Sequence, residues 1–232
     1  MTAGWVFDEF AHAGEEHLDP RYVASYDRKA LVDPTEDLAL FRDLGLDETC
    51  TVIDLGAGTG AFALAVAPLC RRVVAVDVSP AMLALLRAKA EQQGLGNLEY
   101  MQAGFLGYEH RGAAADFVYS RHALHHLPDF WKALALQRLS TFLKPGGILQ
   151  LRDLVFSFSL ADTELGIEAW LRGAAERSED GWTRPELETH LREEYSPFSW
   201  VLEAMLDRAG FEIRQANHHE SGIYSAYTCV KR

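Results

Sequence analysis

Positive charge is scarce in this chain. Its 232 residues include 22 Lys and Arg against 34 Asp and Glu, a formal net charge of −12, and the basic residues are scattered. That disfavours nucleic acid as a partner, because phosphate contacts need grouped Lys and Arg. Cysteine is scarce too. Cys50, Cys70 and Cys229 are odd in number, widely spaced and set among apolar residues, so they read as buried free thiols and not as a disulfide framework or a structural zinc site. No apolar run approaches the ~20 residues that span a bilayer, and the opening MTAGWVFDEF has neither the basic start nor the apolar centre of a signal peptide. A cytoplasmic protein without membrane association is expected. What remains, 48% hydrophobic and 24% charged residues, has the proportions of a soluble globular enzyme. The length supports one core, expected as a single domain over 1–232.

The most informative stretch is TVIDLGAGTG, Thr51–Gly60. A short apolar run ends in Asp54 and then in Gly56, Gly58 and Gly60. This reads as a buried strand feeding a tight loop and a helix, where missing side chains let backbone N–H groups approach a flat polar ligand. Around it the chain alternates. A helical cap fills 1–49, with PRYVASYDRKA as one helix and a second opened by Thr35 and closed by Gly45. Tyr22 and Tyr26 share a helical face; core packing is expected for Tyr22, and contact with a ligand for Tyr26.

Strands follow at 51–55, 72–77, 97–102, 115–120 and 148–154. Between them come helices from Gly60 to Leu69, from Ser79–Pro80 to Gly94, and from a cap at Asp129 to KPGG at 144–147. Such alternation means βαβ units and a doubly wound parallel sheet. Residues 155–209 break it with helices opened by Asp162, by the capping box Thr183–Glu186 and by Ser196 before Pro197. This insertion is either a wall over a site at the carboxyl ends of the strands or a cover for the sheet. The end, FEIRQA and IYSAYTCV around the polar turn NHHESG, pairs as an antiparallel hairpin. The expected fold is thus α/β: a seven-stranded, mostly parallel sheet with an antiparallel last strand.

Gly56, Gly58 and Ala61 also fit a loose dinucleotide-binding pattern. Asp54 argues against it, since a carboxylate at that strand end suits a ligand bearing an ammonium group. Asp77, at the end of the second strand, suits ribose hydroxyls under either reading.

Three segments in order, VIDLGAGTGAFALAVA, VVAVDVSPAMLALLRAKA and DFVYSRHALHHLPDFWKALALQRLSTFLKPGGILQLRDL, resemble the class I S-adenosylmethionine-dependent methyltransferases over roughly 50–155. The resemblance implies a Rossmann-like fold and S-adenosylmethionine as cofactor. It places Gly56, Gly58 and Gly60 against the methionine portion, Asp54 at its amino group, Asp77 at the ribose, and Val78 and Met82 beside the adenine. Where such proteins often carry an acid after the third strand, this chain has Gly104 and Phe105, so backbone, Glu109 or packing contacts take over there.

The rim segment SRHALHHLPDFW supplies Arg121, suited to gripping a carboxylate, and His122 and His126 as candidate catalytic groups sharing a face if the segment is helical. His125 reads as structural and no metal is expected. Arg152 and Asp153 read as ion-paired, and His218, His219 and Glu220 as solvated. The implied activity is methyl transfer to a small-molecule acceptor, in a monomer or homodimer. An NAD(P)-dependent oxidoreductase and a non-catalytic S-adenosylmethionine-binding protein are the alternatives.

Overall fold

The computed structural model describes residues 4–30, 32–178 and 180–232, without the side chains of 15, 16, 20, 21, 24 and 25. Met1–Ala3, the start of the segment read above for a leader, lie outside it. The chain order is α1 (Glu15–Leu18), α2 (Pro20–Ala30), α3 (Thr35–Asp43), β1 (Thr51–Leu55), α4 (Ala61–Val66), β2 (Arg72–Asp77), α5 (Pro80–Gln92), β3 (Leu98–Gln102), β4 (Ala115–Arg121), α6 (Asp129–Phe142), β5 (Leu143–Leu154), α7 (Thr163–Arg172), α8 (Arg184–Glu193), α9 (Ser199–Arg208), β6 (Phe211–His218) and β7 (Tyr224–Lys231). The seven strands lie in the order β3-β2-β1-β4-β5-β7-β6. β7 runs antiparallel to both β5 and β6, so six strands point one way and one is reversed, as the hairpin at the chain's end requires.

β1 is buried at all five residues and its side chains alternate across the sheet. Val52 packs with Phe41, Phe62, Val66 and Leu86 on one face. Ile53 and Leu55 pack with Leu136, Leu139, Leu202 and Leu206 on the other. Helices therefore cover both faces, and cavities open at the carboxyl end of β1, around Asp54, Leu55 and Gly56.

Several local expectations shift for identifiable reasons. The helix after the glycine loop is α-helical only to Val66, then tightens to a 3-10 turn at Ala67–Leu69, which includes Pro68. Asp129 is the first helical residue and no cap; its carboxylate pairs with Lys132 Nζ at 3.1 Å. β5 begins at Leu143, five residues earlier than expected, because KPGG is an irregularity within the β4–β5 pairing. α9 starts at Ser199 and not at Ser196, whose hydroxyl instead meets His190 Nε2 at 2.8 Å. β6 runs on through Asn217 and His218, so the first two residues of the expected polar turn are strand. Tyr22 is exposed, not packed in the core.

The helical insertion divides its labour. α9 covers the sheet, with Leu202 and Leu206 fully buried. α7 and α8 instead stand beside the carboxyl ends of the strands, where α8 is opened by its capping box, Glu186 Oε2 accepting from Thr183 N at 2.8 Å. Among the described residues no helix is long and apolar enough to cross a membrane.

Candidate active site

At the carboxyl ends of β1 and β2 the chain turns sharply. Gly56 N and Ala57 N both donate to Val76 O, at 2.9 and 3.0 Å, which pins the glycine loop to the end of β2. Gly56 has φ +79°, and a Cβ there would lie well inside 3.0 Å of the Ala123 methyl carbon. Glycine is thus required on two counts, backbone conformation and the close approach of the turn after β4. Gly58 (φ +52°) has open space on its Cβ side.

The buried Asp77 closes the loop from the far side, its Oδ2 accepting from Gly58 N and its Oδ1 from Ser79 N, each at 2.8 Å. Ser79 Oγ caps α5 by accepting from Met82 N and donates to His17 O at 2.6 Å.

Two cavities meet here. The first is lined by Gly56, Gly58, Asp77, Val78, Met82, Gly104 and Phe105, and by Phe7, Glu9 and Ala13 from the chain's start. The second, about 790 Å³, extends under α7 and α8 and is walled by Asp54, Phe62, Tyr119, Trp170, Trp182 and Tyr224, among others. His17, Tyr26, Gly56, Gly58, Arg121, His122 and His126 line both. Gly60 lies on neither wall; a Cβ there would meet Leu86 Cγ at 2.5 Å, so this glycine serves helix packing. Glu109 also lies outside both.

The electrostatics of this floor are lopsided. Asp54 is 2% exposed; burial first, and the neighbouring Asp77 carboxylate second, push its pKa up to about 8. Burial also raises Asp77, against the pull of the Ser79 and Gly58 N–H groups. Among the described residues no Lys or Arg pairs with either. Arg121 reaches the third buried acid, Asp37, at 3.6 Å, while its buried Nε has no hydrogen-bond partner among the described residues.

The segment after β4 is not a regular helix. His122 sits at φ +50°, and a 3-10 turn covers Leu124–His126, so His122 and His126 are brought to one cavity wall by the turn and not by helical spacing. Burial lowers His122 to about 4. Burial, and then the charge on His125, lower His126 to about 3. Both are neutral imidazoles near pH 7.

His125 differs. Its Nδ1 bonds Asp153 Oδ1, and its Nε2 lies 3.0 Å from Glu194 Oε2. Burial alone would lower it, but the Asp153 and Glu194 carboxylates overcome that and raise it to about 9. Asp153 also accepts from Leu124 N and Leu154 N at 2.8 Å, and Arg152 pairs with Asp37 at 3.0 Å. Each of the two thus has a neighbouring partner, as expected.

Sequence spacing did not reveal Glu9, His17, His190 or Glu194. The Glu9 carboxylate accepts from Leu106 N and Gly107 N at 2.9 and 3.2 Å and sits where a Cβ on Gly104 would be. An acid from 95 residues upstream thereby fills the gap that the glycine leaves. For His190 and Glu194 the i,i+4 spacing at the end of α8 was visible, but not their partner His125. Tyr227 and Lys231, spaced as a Tyr-x-x-x-Lys pair, point elsewhere: Tyr227 Oη donates to Glu203 and Lys231 Nζ to Leu143 O.

The profile of a family described as "Methyltransferase domain" matches residues 52–147, the span from β1 into β5. An uncharacterized methyltransferase of Bacillus subtilis (strain 168) is 29% identical over 102 residues, 44% of this chain and 40% of that protein. Less than half of that relative's length is therefore covered. An uncharacterized methyltransferase of Geobacillus kaustophilus (strain HTA426) is 28% identical over 211 residues, 85% of this chain and 90% of that protein. Among solved structures, a SAM-dependent methyltransferase from Aquifex aeolicus superposes with TM-score 0.63 at 18% identity, covering 93% of this chain and all of that one.

Proposed function

We propose that this chain is a class I S-adenosylmethionine-dependent methyltransferase and that it methylates a small-molecule acceptor held in the larger cavity. The observation that carries the reading is the pair of buried acids, Asp54 and Asp77, with no Lys or Arg partner among the described residues. Such a floor is completed by a cationic ligand, and a dinucleotide brings net negative charge to the same place. S-adenosylmethionine is cationic at both its ammonium and its sulfonium, and when bound it supplies an electrophilic methyl group.

Residues of the first cavity, with Asp54 from the adjoining second one, divide the binding. Asp77 faces the ribose hydroxyls with the lone pairs its two backbone contacts leave free. Val78, Met82 and Phe105 offer apolar surface for the adenine, and Asp54 the counter-charge for the amino group. Arg121 Nε is a free donor for a carboxylate.

Acceptor binding falls to the second cavity. A volume of about 790 Å³ lies within the roughly 300–1,000 Å³ of small-molecule sites. Its walls of Trp170, Trp182, Tyr224 and Phe62 suit an apolar or aromatic body. His122 and His126, neutral and on the shared wall, accept a hydrogen bond from an O–H, N–H or S–H nucleophile of the acceptor and aim it along the line of displacement; a carbon nucleophile is positioned by the cavity walls. Catalysis then rests on orientation and exclusion of water.

Calorimetric titration with S-adenosylmethionine, S-adenosylhomocysteine and NAD tests the reading. Binding of the first two is expected; binding of NAD alone would sink it. Turnover is then sought by mass spectrometry against a panel of phenols, hydroxy acids and amines, each scored for a methyl mass increment.

A further inference from the structure

The wall of the larger cavity carries a cluster that cofactor binding does not use. His125 Nε2, His190 Nδ1 and a Glu194 carboxylate oxygen all lie within 4.8 Å of one another, and their side chains are only 6%, 11% and 22% exposed. The geometry points to a binding site for a divalent first-row transition metal ion, of the Zn²⁺ or Fe²⁺ type, held by His125, His190 and Glu194. This site stands whether or not methyl transfer is the reaction performed beside it.

Three observations carry the assignment. The first is convergence. Glu194 Oε2 is 3.0 Å from His125 Nε2 and also lies against His190 Nδ1, so one carboxylate oxygen gathers both imidazoles at a single point. Ligand atoms about 2.0–2.2 Å from a tetrahedral ion stand about 3.3–3.6 Å apart, so both histidine–carboxylate contacts lengthen as the ion enters.

The second is the support behind each imidazole. His125 Nδ1 donates to Asp153, and His190 Nε2 meets Ser196 Oγ at 2.8 Å. Metal-binding histidines are oriented in this way by an oxygen on the far ring nitrogen. With those nitrogens so engaged, His125 Nε2, His190 Nδ1 and the Glu194 carboxylate face one point, and an ion bound there takes the place of the proton shared between His125 and Glu194.

The third is composition and place. Two imidazoles and one carboxylate favour transition ions over Mg²⁺ or Ca²⁺, which take oxygen ligands. All three side chains line the 790 Å³ cavity. Three protein ligands leave a fourth position open toward it, where a hydroxyl or carboxylate of the bound small molecule, or water, coordinates. A hydroxyl held there is made more acidic.

The ion would also join the end of the insertion helix α8 to the turn after β4, adding to the Tyr195 N–His125 O bond already there.

The test is a titration of EDTA-treated, full-length protein with Co²⁺, whose visible d–d absorption reports coordination directly, followed by displacement with Zn²⁺. Saturation at one equivalent per chain and a rise in melting temperature with the ion are expected. Glu194→Gln, which keeps the side chain's shape, and His190→Ala should each weaken Co²⁺ binding at least about tenfold, whereas His218→Gln, on β6, should not. Circular dichroism verifies the fold, and Glu194→Gln decides the matter if His190→Ala fails to fold. No absorption at one equivalent, or absorption unchanged in Glu194→Gln, overturns the site. Methyl transfer by protein that binds no Co²⁺ would remove the metal and leave the proposed function intact. Ion binding without any methyl transfer would do the reverse.

Discussion

Replacing Gly56 by alanine separates two physical costs that the structure superimposes at one atom. The residue has φ +79°, and a non-glycine side chain in that region costs about 1–2 kcal/mol. The new methyl also overlaps Ala123 Cβ, and overpacking in a close contact adds about 1–3 kcal/mol. Gly56→Ala should therefore destabilise the protein by ~2–5 kcal/mol. Ala123→Gly alone should cost less, about 0.5–1 kcal/mol, since it removes one methyl and adds backbone freedom. Combined, the two should recover the steric part, so that the double variant is more stable than the sum of the singles by about 1–3 kcal/mol. Urea unfolding followed by far-UV circular dichroism gives all four values, with Gly58→Ala as a control. That glycine also has positive φ but open space, so it should pay only the backbone cost, about 1–2 kcal/mol, with no coupling to Ala123→Gly. A coupling of zero between positions 56 and 123 would refute the close approach of the glycine loop to the β4 turn, and with it the way the two cavities come to share a wall.

Other outcomes follow from the same site. Asp54 has a folded pKa raised to about 8 against about 3.9 unfolded, so its contribution is fully present near pH 4 and is lost as pH rises through 8. Asp54→Asn should flatten that decline in pH-dependent unfolding. In the wild type, cofactor binding near pH 7 should release a proton, read by calorimetry in buffers of different ionisation enthalpy and absent in Asp54→Asn. His122 runs the other way. Its folded pKa near 4 lies below the unfolded value of about 6.5, so stability is lost as pH falls from 6.5 toward 4. His122→Asn, which tolerates positive φ, should remove that loss. Asp77→Ala should weaken cofactor binding by ~1.5–3 kcal/mol, measured calorimetrically, and unchanged affinity would overturn its assignment to the ribose.

What was legible in the sequence is what forms locally. The run Thr51–Asp54, the glycines behind it and the Ser79–Pro80 cap carry their own signals, because strand burial, positive φ and helix capping are decided within a few residues. The reversed terminal strand was legible for the same reason, as two alternating runs around a turn. Partners brought together by tertiary closure left no such trace. Nothing in FDEFAHAGEEH says that Glu9 will accept from Leu106 N and Gly107 N. Nothing in LETHLREEY says that Glu194 will meet His125, far away in sequence. Ser196 shows competition between the two levels: its hydroxyl is a good helix cap, but His190 takes it, and α9 begins three residues later.

The segment that carries Glu9 has a kinetic meaning as well as a geometric one. Phe7 and Glu9 form part of the first cavity's wall, Trp5 stacks on Trp131 at 5.8 Å, and the Glu9 carboxylate fastens the strap to the loop after β3. Exit on that side would break two backbone contacts and a ring stack, a local opening and not a diffusive step. On the proposed reading, residence time in the cavity should depend on Trp5, Phe7 and Glu9, at the opposite end of the sequence from the helices α7 and α8 that wall the larger cavity.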